Sequence, residues 1–121
     1  MPPAMSYRVE NLTKSTLLAD RARRAANPVS RALGLMGKKS LAPGNGMIFA
    51  RAPSIHTCFM RFKIDVLFLD KDMRVIRAVH GLRPWRAAAA ASSAYTIELP
   101  CGTLRHTRTE PQDEIRFSVN P

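Results

Sequence analysis

The chain has 121 residues, enough for one domain with an ordinary hydrophobic core, and its 45% hydrophobic and 23% charged content excludes a disordered polymer. Its two cysteines, Cys58 and Cys101, are too few for a disulfide framework. The formal net charge of +10 admits partners of opposite sign, namely nucleic acid, an anionic membrane or an acidic protein.

The opening Met1–Arg8 lacks the basic-then-apolar layout of a secretory signal. The longest strongly apolar run, Val66–Leu69, is far short of a membrane span, so a cytoplasmic protein is expected. Arg8–Leu12 reads as a short strand. Thr16–Ala25 reads either as a second strand or as a helix, because Leu17, Leu18, Ala22, Ala25 and Ala26 also recur at three- and four-residue steps. Asn27 as cap and Pro28 at the first position predict a short helix over Val29–Met36, stopped by Gly37. Leu41–Gly46 is turn chemistry, and Met47–Ala50 reads as a buried strand.

Ile55–Met60 and Ile64–Leu69 are expected to be further strands, the second central because it is apolar except for Asp65. Asp70–Met73 makes a tight turn into Arg74–Leu82, which predicts a hairpin. Arg83–Ser93 holds five consecutive alanines between a Pro and two serines, too few to hold a helix alone, so a surface loop or a single turn is expected. Ala94–Leu99 is a strand, Pro100-Cys101-Gly102 breaks it, and Thr103–Glu110 reads as a solvated basic segment before a last strand, Ile115–Val119. The sum is a single domain over 1–121, mainly β: a β-sandwich or small barrel with one short helix in its N-terminal third.

Four ordered segments carry a resemblance. Gly34-Leu35-Met36, Leu41–Phe49, Ile64–Asp70 and Ile97–Gly102 together resemble the prokaryotic domain-of-unknown-function family 192 over about residues 28–117. Ser54–Thr57, Met60 and Arg83–Arg86 resemble the subtype common in high-GC bacteria. The resemblance implies a compact β-rich fold and no established activity. Three positions depart from the family pattern: Cys101 stands for a small residue, Lys63 for a Pro, and Gln112 for the Gly that normally precedes Asp113.

Two constellations point to chemistry. Were Ile55–Met60 a strand, alternation would put His56, Cys58 and Met60 on one face at steps of about 7 Å, a soft donor set suited to Cu(I) or zinc. Asp65 inside a buried strand must be paired or accept several hydrogen bonds, from backbone amides of a loop or from Arg61 or Arg86. With His56 as its neighbour it could act as a general base, with Thr57 adjacent, but no complete catalytic set can be named. Trp85, between Pro84 and Arg86, suits a stacked ring or an anion.

The leading expectation is a non-enzymatic domain binding a small ligand or a protein partner, its pocket lined by His56, Thr57, Met60, Asp65, Trp85 and Arg86. A second is electrostatic nucleic-acid binding through the basic first half, at Arg21, Arg23, Arg24, Arg31, Lys38 and Lys39. A third is soft-metal binding at His56, Cys58 and Met60. No cofactor is specified.

Overall fold

The computed structural model describes residues 5–25 and 40–121. Its strands are β1 (Tyr7–Asn11), β2 (Thr16–Arg24), β3 (Asn45–Ala50), β4 (Ser54–His56), β5 (Ile64–Leu69), β6 (Val75–Leu82), β7 (Ala87–Ala89), β8 (Tyr95–Pro100) and β9 (Ile115–Val119). Seven of them form one curled sheet, a half-barrel, in the order β6-β5-β8-β3-β2-β1-β9, and β4 pairs with β7 as a separate two-stranded ribbon. The mainly β architecture agrees with the sequence reading. Among the described residues the helix is α1 (Thr103–His106), near the C-terminal end. The helix expected over 29–36 falls in the connection between the parallel strands β2 and β3 and lies outside the described residues.

The strand interpretation of Thr16–Ala25 prevails over the helical one. β2 is the second arm of a hairpin with β1 and buries Leu18, Ala19 and Ala22, while Leu17 stays exposed. A nearby strand partner outweighs the helix propensity of its leucines and alanines.

β5 explains much of the core. All six of its residues are buried, because the strand is covered on both faces. Leu67 and Leu69 point into the half-barrel with Val9, Leu18, Ile48, Ile97 and Ile115. Ile64, Val66 and Phe68 point outward into a second cluster with Ile55, Met60 and Ala88 of the ribbon side. Register confirms the two faces: Met47, Glu98, Val66 and Val79 stand in one cross-strand row, and Ile48, Ile97, Leu67 and Ala78 in the next.

The ribbon corrects two expectations. β4 ends at His56, so the strand expected to run to Met60 stops short, and Thr57–Phe59 turns away with Phe59 at φ 66°. The alanine run is not merely a loop. Ala87–Ala89 is extended and pairs in the register Ile55↔Ala88. Its backbone finds a strand partner instead of closing a helical turn, and Arg77 Nη1 donates to the Ala89 carbonyl at 2.6 Å to latch the ribbon onto β6.

The two edge strands of the sheet, β6 and β9, meet near one end. Arg74 and Glu114 form a bridge, Val75 N donates to Asp113 O and Ile115 N donates to Met73 O, both at 2.9 Å. This clasp contains Gln112 at φ 80°. The resemblance to family 192 places a Gly there, and the backbone supplies the reason, since a left-handed residue with a Cβ is strained. Gln112→Gly is expected to stabilise the domain by about 0.5–1 kcal/mol, read as a raised urea midpoint at unchanged slope.

Beside the clasp a polar cluster ties the β1–β2 turn to the segment before β9. Asn11 Nδ2 donates to Thr109 Oγ1 (3.0 Å) and to Asp113 Oδ2 (2.9 Å), and Lys14 Nζ donates to both Asp113 oxygens at 3.1 and 2.9 Å. Burial pushes the Asp113 carboxyl up, but the hydrogen bonds from Asn11, Lys14 and Glu110 N outweigh it and hold the group below the ordinary aspartate range. A lowered folded-state value stabilises above the unfolded value, and that stability is lost as pH falls through the folded one. Wild-type stability is therefore expected to drop as pH falls below about 3.9. Asp113→Asn should flatten that limb, and urea titrations from pH 6 down to pH 2 check it.

Candidate functional site

The buried side of the site is built on Thr57. The residue is wholly enclosed just beyond the end of β4, and it holds the Trp85 loop through both backbone and hydroxyl. Thr57 N donates to Arg86 O (2.8 Å), Trp85 N donates to Thr57 O (3.0 Å) and Met60 N donates to the same oxygen (3.1 Å). The hydroxyl donates to Arg83 O at 2.6 Å, with Arg86 O at 3.2 Å, and accepts from Arg86 N at 2.9 Å. A single buried side chain thus fixes the turn at 57–60 and the turn at 83–86 against each other.

What this scaffold presents is a pair of aromatic rings. Phe59 and Trp85 lie edge to face with centroids 4.6 Å apart, yet they remain 59% and 57% exposed. Both have left-handed backbones, φ 66° and φ 63°. That conformation costs an L-residue about 1–2 kcal/mol each, and the hydrogen bonds around Thr57 maintain it at both. Phe59 has no counterpart among the residues singled out from sequence. The available signal was that Thr57–Phe62 carries apolar side chains at both strand parities, which a strand with one buried face cannot accommodate.

The residues expected to line one pocket separate into two groups. His56, Trp85 and Arg86 are on the surface, whereas Thr57, Met60 and Asp65 are buried. Met60 packs in the cluster between ribbon and sheet. Asp65 shares the interior parity of Leu67 and Leu69, away from the ribbon that carries His56. Its carboxylate accepts three backbone N–H groups, Gly81 at 2.9 Å on Oδ1 and Gly102 at 3.0 Å and Leu104 at 2.9 Å on Oδ2. Of the partners the sequence allowed, backbone amides are the ones used.

The one-face arrangement of His56, Cys58 and Met60 does not form, because the strand has ended: His56 is exposed, Cys58 half-buried and Met60 buried. His56 Nδ1 accepts the Cys58 N–H at 3.3 Å instead. Among the described residues no group of three or more His, Cys, Asp or Glu side chains is placed to hold a metal ion. Of the basic residues singled out, Arg21, Arg23 and Arg24 are exposed on β2, with Arg21 3.7 Å from the Asp20 carboxylate. Arg31, Lys38 and Lys39 lie outside the described residues.

The segment Thr103–Glu110, expected to be solvated, is partly core: Leu104, Thr107 and Thr109 are buried. Beside it opens a hollow of about 550 Å³ between Leu17–Asp20 of β2 and the Pro100–Thr107 turn, with Cys101 and His106 in its wall. None of the residues singled out from sequence as site residues lines it. Among the described residues no helix is long and apolar enough to cross a membrane.

Fold and surface together define a small half-barrel β domain that displays an aromatic pair, its turns tied down through Thr57, on its ribbon side. The chain belongs to the family DUF192, described as "Uncharacterized ACR, COG1430", whose model matches residues 9–117. It is 35% identical over 116 residues to the UPF0127 protein PH1112 of Pyrococcus horikoshii, covering 90% of this chain and 97% of that one. It is 32% identical over 115 residues to the UPF0127 protein PF1050 of Pyrococcus furiosus, covering 89% and 96%. In fold it is similar to a crystal structure from Sinorhizobium meliloti 1021, described as a "putative transcription regulator" (TM-score 0.80, 20% identity, 97% of this chain and 98% of that one). A protein of unknown function from Novosphingobium aromaticivorans is similarly close (TM-score 0.78, 23% identity, 92% and 83%). At those identities the likeness concerns the fold alone.

Proposed function

We propose that this domain is a binding module whose contact surface is centred on Phe59 and Trp85, with His56 and Arg86 at its margin. The supporting observation is the geometry of the pair: two large rings held in left-handed backbones by a fully buried threonine, with more than half of their surface left to solvent. A fully buried aromatic side chain removes about 150–250 Å² from water, and each of these residues leaves more than half of its surface outside, which forgoes a large stabilisation. Of the seven non-glycine residues with left-handed backbones among the described residues, these two alone are also exposed large hydrophobics, and strain meeting exposure in the same side chains is the pattern of a surface arranged for a partner.

The measurement reads the site directly, because Trp85 is the single tryptophan of the chain. The small-molecule and macromolecular fractions of a prokaryotic extract are titrated separately while Trp85 emission is followed. At least one fraction is expected to shift the emission to shorter wavelength, and Phe59→Ala to weaken that response several-fold. Emission unmoved by every fraction overturns the reading.

A further inference from the structure

Resting on that reading, we infer that the partner of the aromatic pair is single-stranded nucleic acid. Three observations converge on it. The first is charge placement. The stretches 51–64 and 73–97, which contain the ribbon, its turns and all of β6, hold no Asp or Glu; all nine acidic residues of the chain lie elsewhere. Glu98 stands on the ribbon-side face of the sheet by register but is buried, with only 6% exposure.

The second is the setting of the rings. Arg83 and Arg86 flank Trp85, and Arg61 and Lys63 follow Phe59. The pairing Ile64↔Leu82 puts Lys63 and Arg83 at the same end of the β5–β6 hairpin, and the Thr57 bonds bring that end to Trp85. All four cations are exposed, and none is in an ion pair with a described residue. The third is geometry. An edge-to-face pair leaves ring face open to solvent, onto which an unpaired base can stack, whereas bases in a duplex offer no free face. The cations that flank the rings along the chain, with the Arg86 guanidinium at the Trp85 carbonyl (3.3 Å), are then available to the phosphates on either side of that base. Three of the four are Arg, which both stacks and binds phosphate through a planar fork.

An anionic membrane is the competing partner for aromatics among cations. Insertion needs an apolar tip, and here Arg86 adjoins one ring and Arg61 lies two residues from the other, so charge sits where acyl chains would be. The observations favour the nucleic acid.

The test is fluorescence anisotropy of a labelled 20-nucleotide oligo-dT or oligo-rU with the full chain, against a duplex of equal length. Four phosphate contacts on a single strand predict a slope of log K on log salt near −2.8, or about 50-fold weaker binding at 200 mM than at 50 mM salt. The double variant Arg83→Gln/Arg86→Gln should halve that slope, to about sevenfold over the same range. Trp85→Gly keeps the left-handed turn and removes the ring, and should weaken binding at least about fivefold with an unchanged circular dichroism spectrum.

Equal or tighter binding to the duplex, or binding that ignores both variants, overturns the inference. If the oligonucleotides leave anisotropy unmoved while a nuclease-treated extract fraction or phosphatidylglycerol vesicles still shift Trp85 emission, the aromatic site stands and the nucleic-acid assignment falls. If nothing shifts Trp85, both fall together.

Discussion

Asp65→Ala is expected to cost about 3–6 kcal/mol, enough to leave a domain of this size barely folded at room temperature. The carboxylate is buried, and its removal takes the acceptor from three backbone N–H groups, those of half-buried Gly81, of Gly102 at the surface and of buried Leu104. Those amides belong to different parts of the fold. The β5–β6 register shifts between Ile64 and Val66, which frees the Gly81 N–H from the ladder and turns it toward Asp65. Gly102 and Leu104 lie where β8 hands over to α1.

Two of the three donors are glycines with left-handed backbones, φ 61° at Gly81 and φ 97° at Gly102, so the bulge and the turn are shaped around the anion. Asp65→Asn keeps one acceptor oxygen but sets an NH₂ against a backbone donor, and an intermediate loss of about 2–3 kcal/mol is expected. Urea unfolding at pH 7 on all three proteins checks the order. A loss below about 1 kcal/mol for the alanine variant would mean that the amides find other acceptors.

Thr57→Val should cost about 2–3 kcal/mol despite its matched volume, because the hydroxyl is at once donor to Arg83 O and acceptor from Arg86 N in a buried place. Its second effect is local. Without that junction the Trp85 turn loses an anchor on each side of the indole, so the backbone amide of Arg86 should exchange with solvent faster than in the wild type. Binding by the aromatic pair should weaken even under conditions where the variant is fully folded. Thr57→Ser keeps the hydroxyl and should restore both exchange protection and binding. Slow exchange at Arg86 in the valine variant would show that the backbone bonds alone hold the turn.

The parts of this fold that were legible in the sequence are those where one residue row decides burial. Ile64–Leu69 followed by an Asp-rich turn and a returning alternation can only make a buried hairpin, and it does. The need of Asp65 for several donors was legible too, from the cost of a bare carboxylate in a core strand, although the donors belong to segments far along the chain. The ribbon was not legible. Alanine carries almost no pattern, and Ala88 is buried because its pairing with Ile55 puts it on the ribbon face that packs against Val66 and Phe68 of the sheet. Nor was α1, a four-residue turn whose charged neighbours hide a single deep anchor, Leu104. Of the candidate site, Trp85 and Arg86 could be named, but Phe59 could not. Its position follows from a left-handed backbone that a bulky residue adopts only under tertiary constraint.

The pairing of β1 with β9 has a consequence for how the molecule is made. Ser6 and Asn120, bonded side chain to side chain at 2.9 Å, are 114 positions apart, and the strands beside them pair along their whole length. Until the last strand has left the ribosome, one edge of β1 has no partner, and Val9, Leu18 and Ile115 cannot complete their cluster. Such long-range closure makes for slow, late folding, in which most of the half-barrel waits as an open sheet. Emergence of residues 115–119 from the ribosome is therefore the event that commits the domain to its native state, and nascent chains cut short before it should be the ones that chaperones retain.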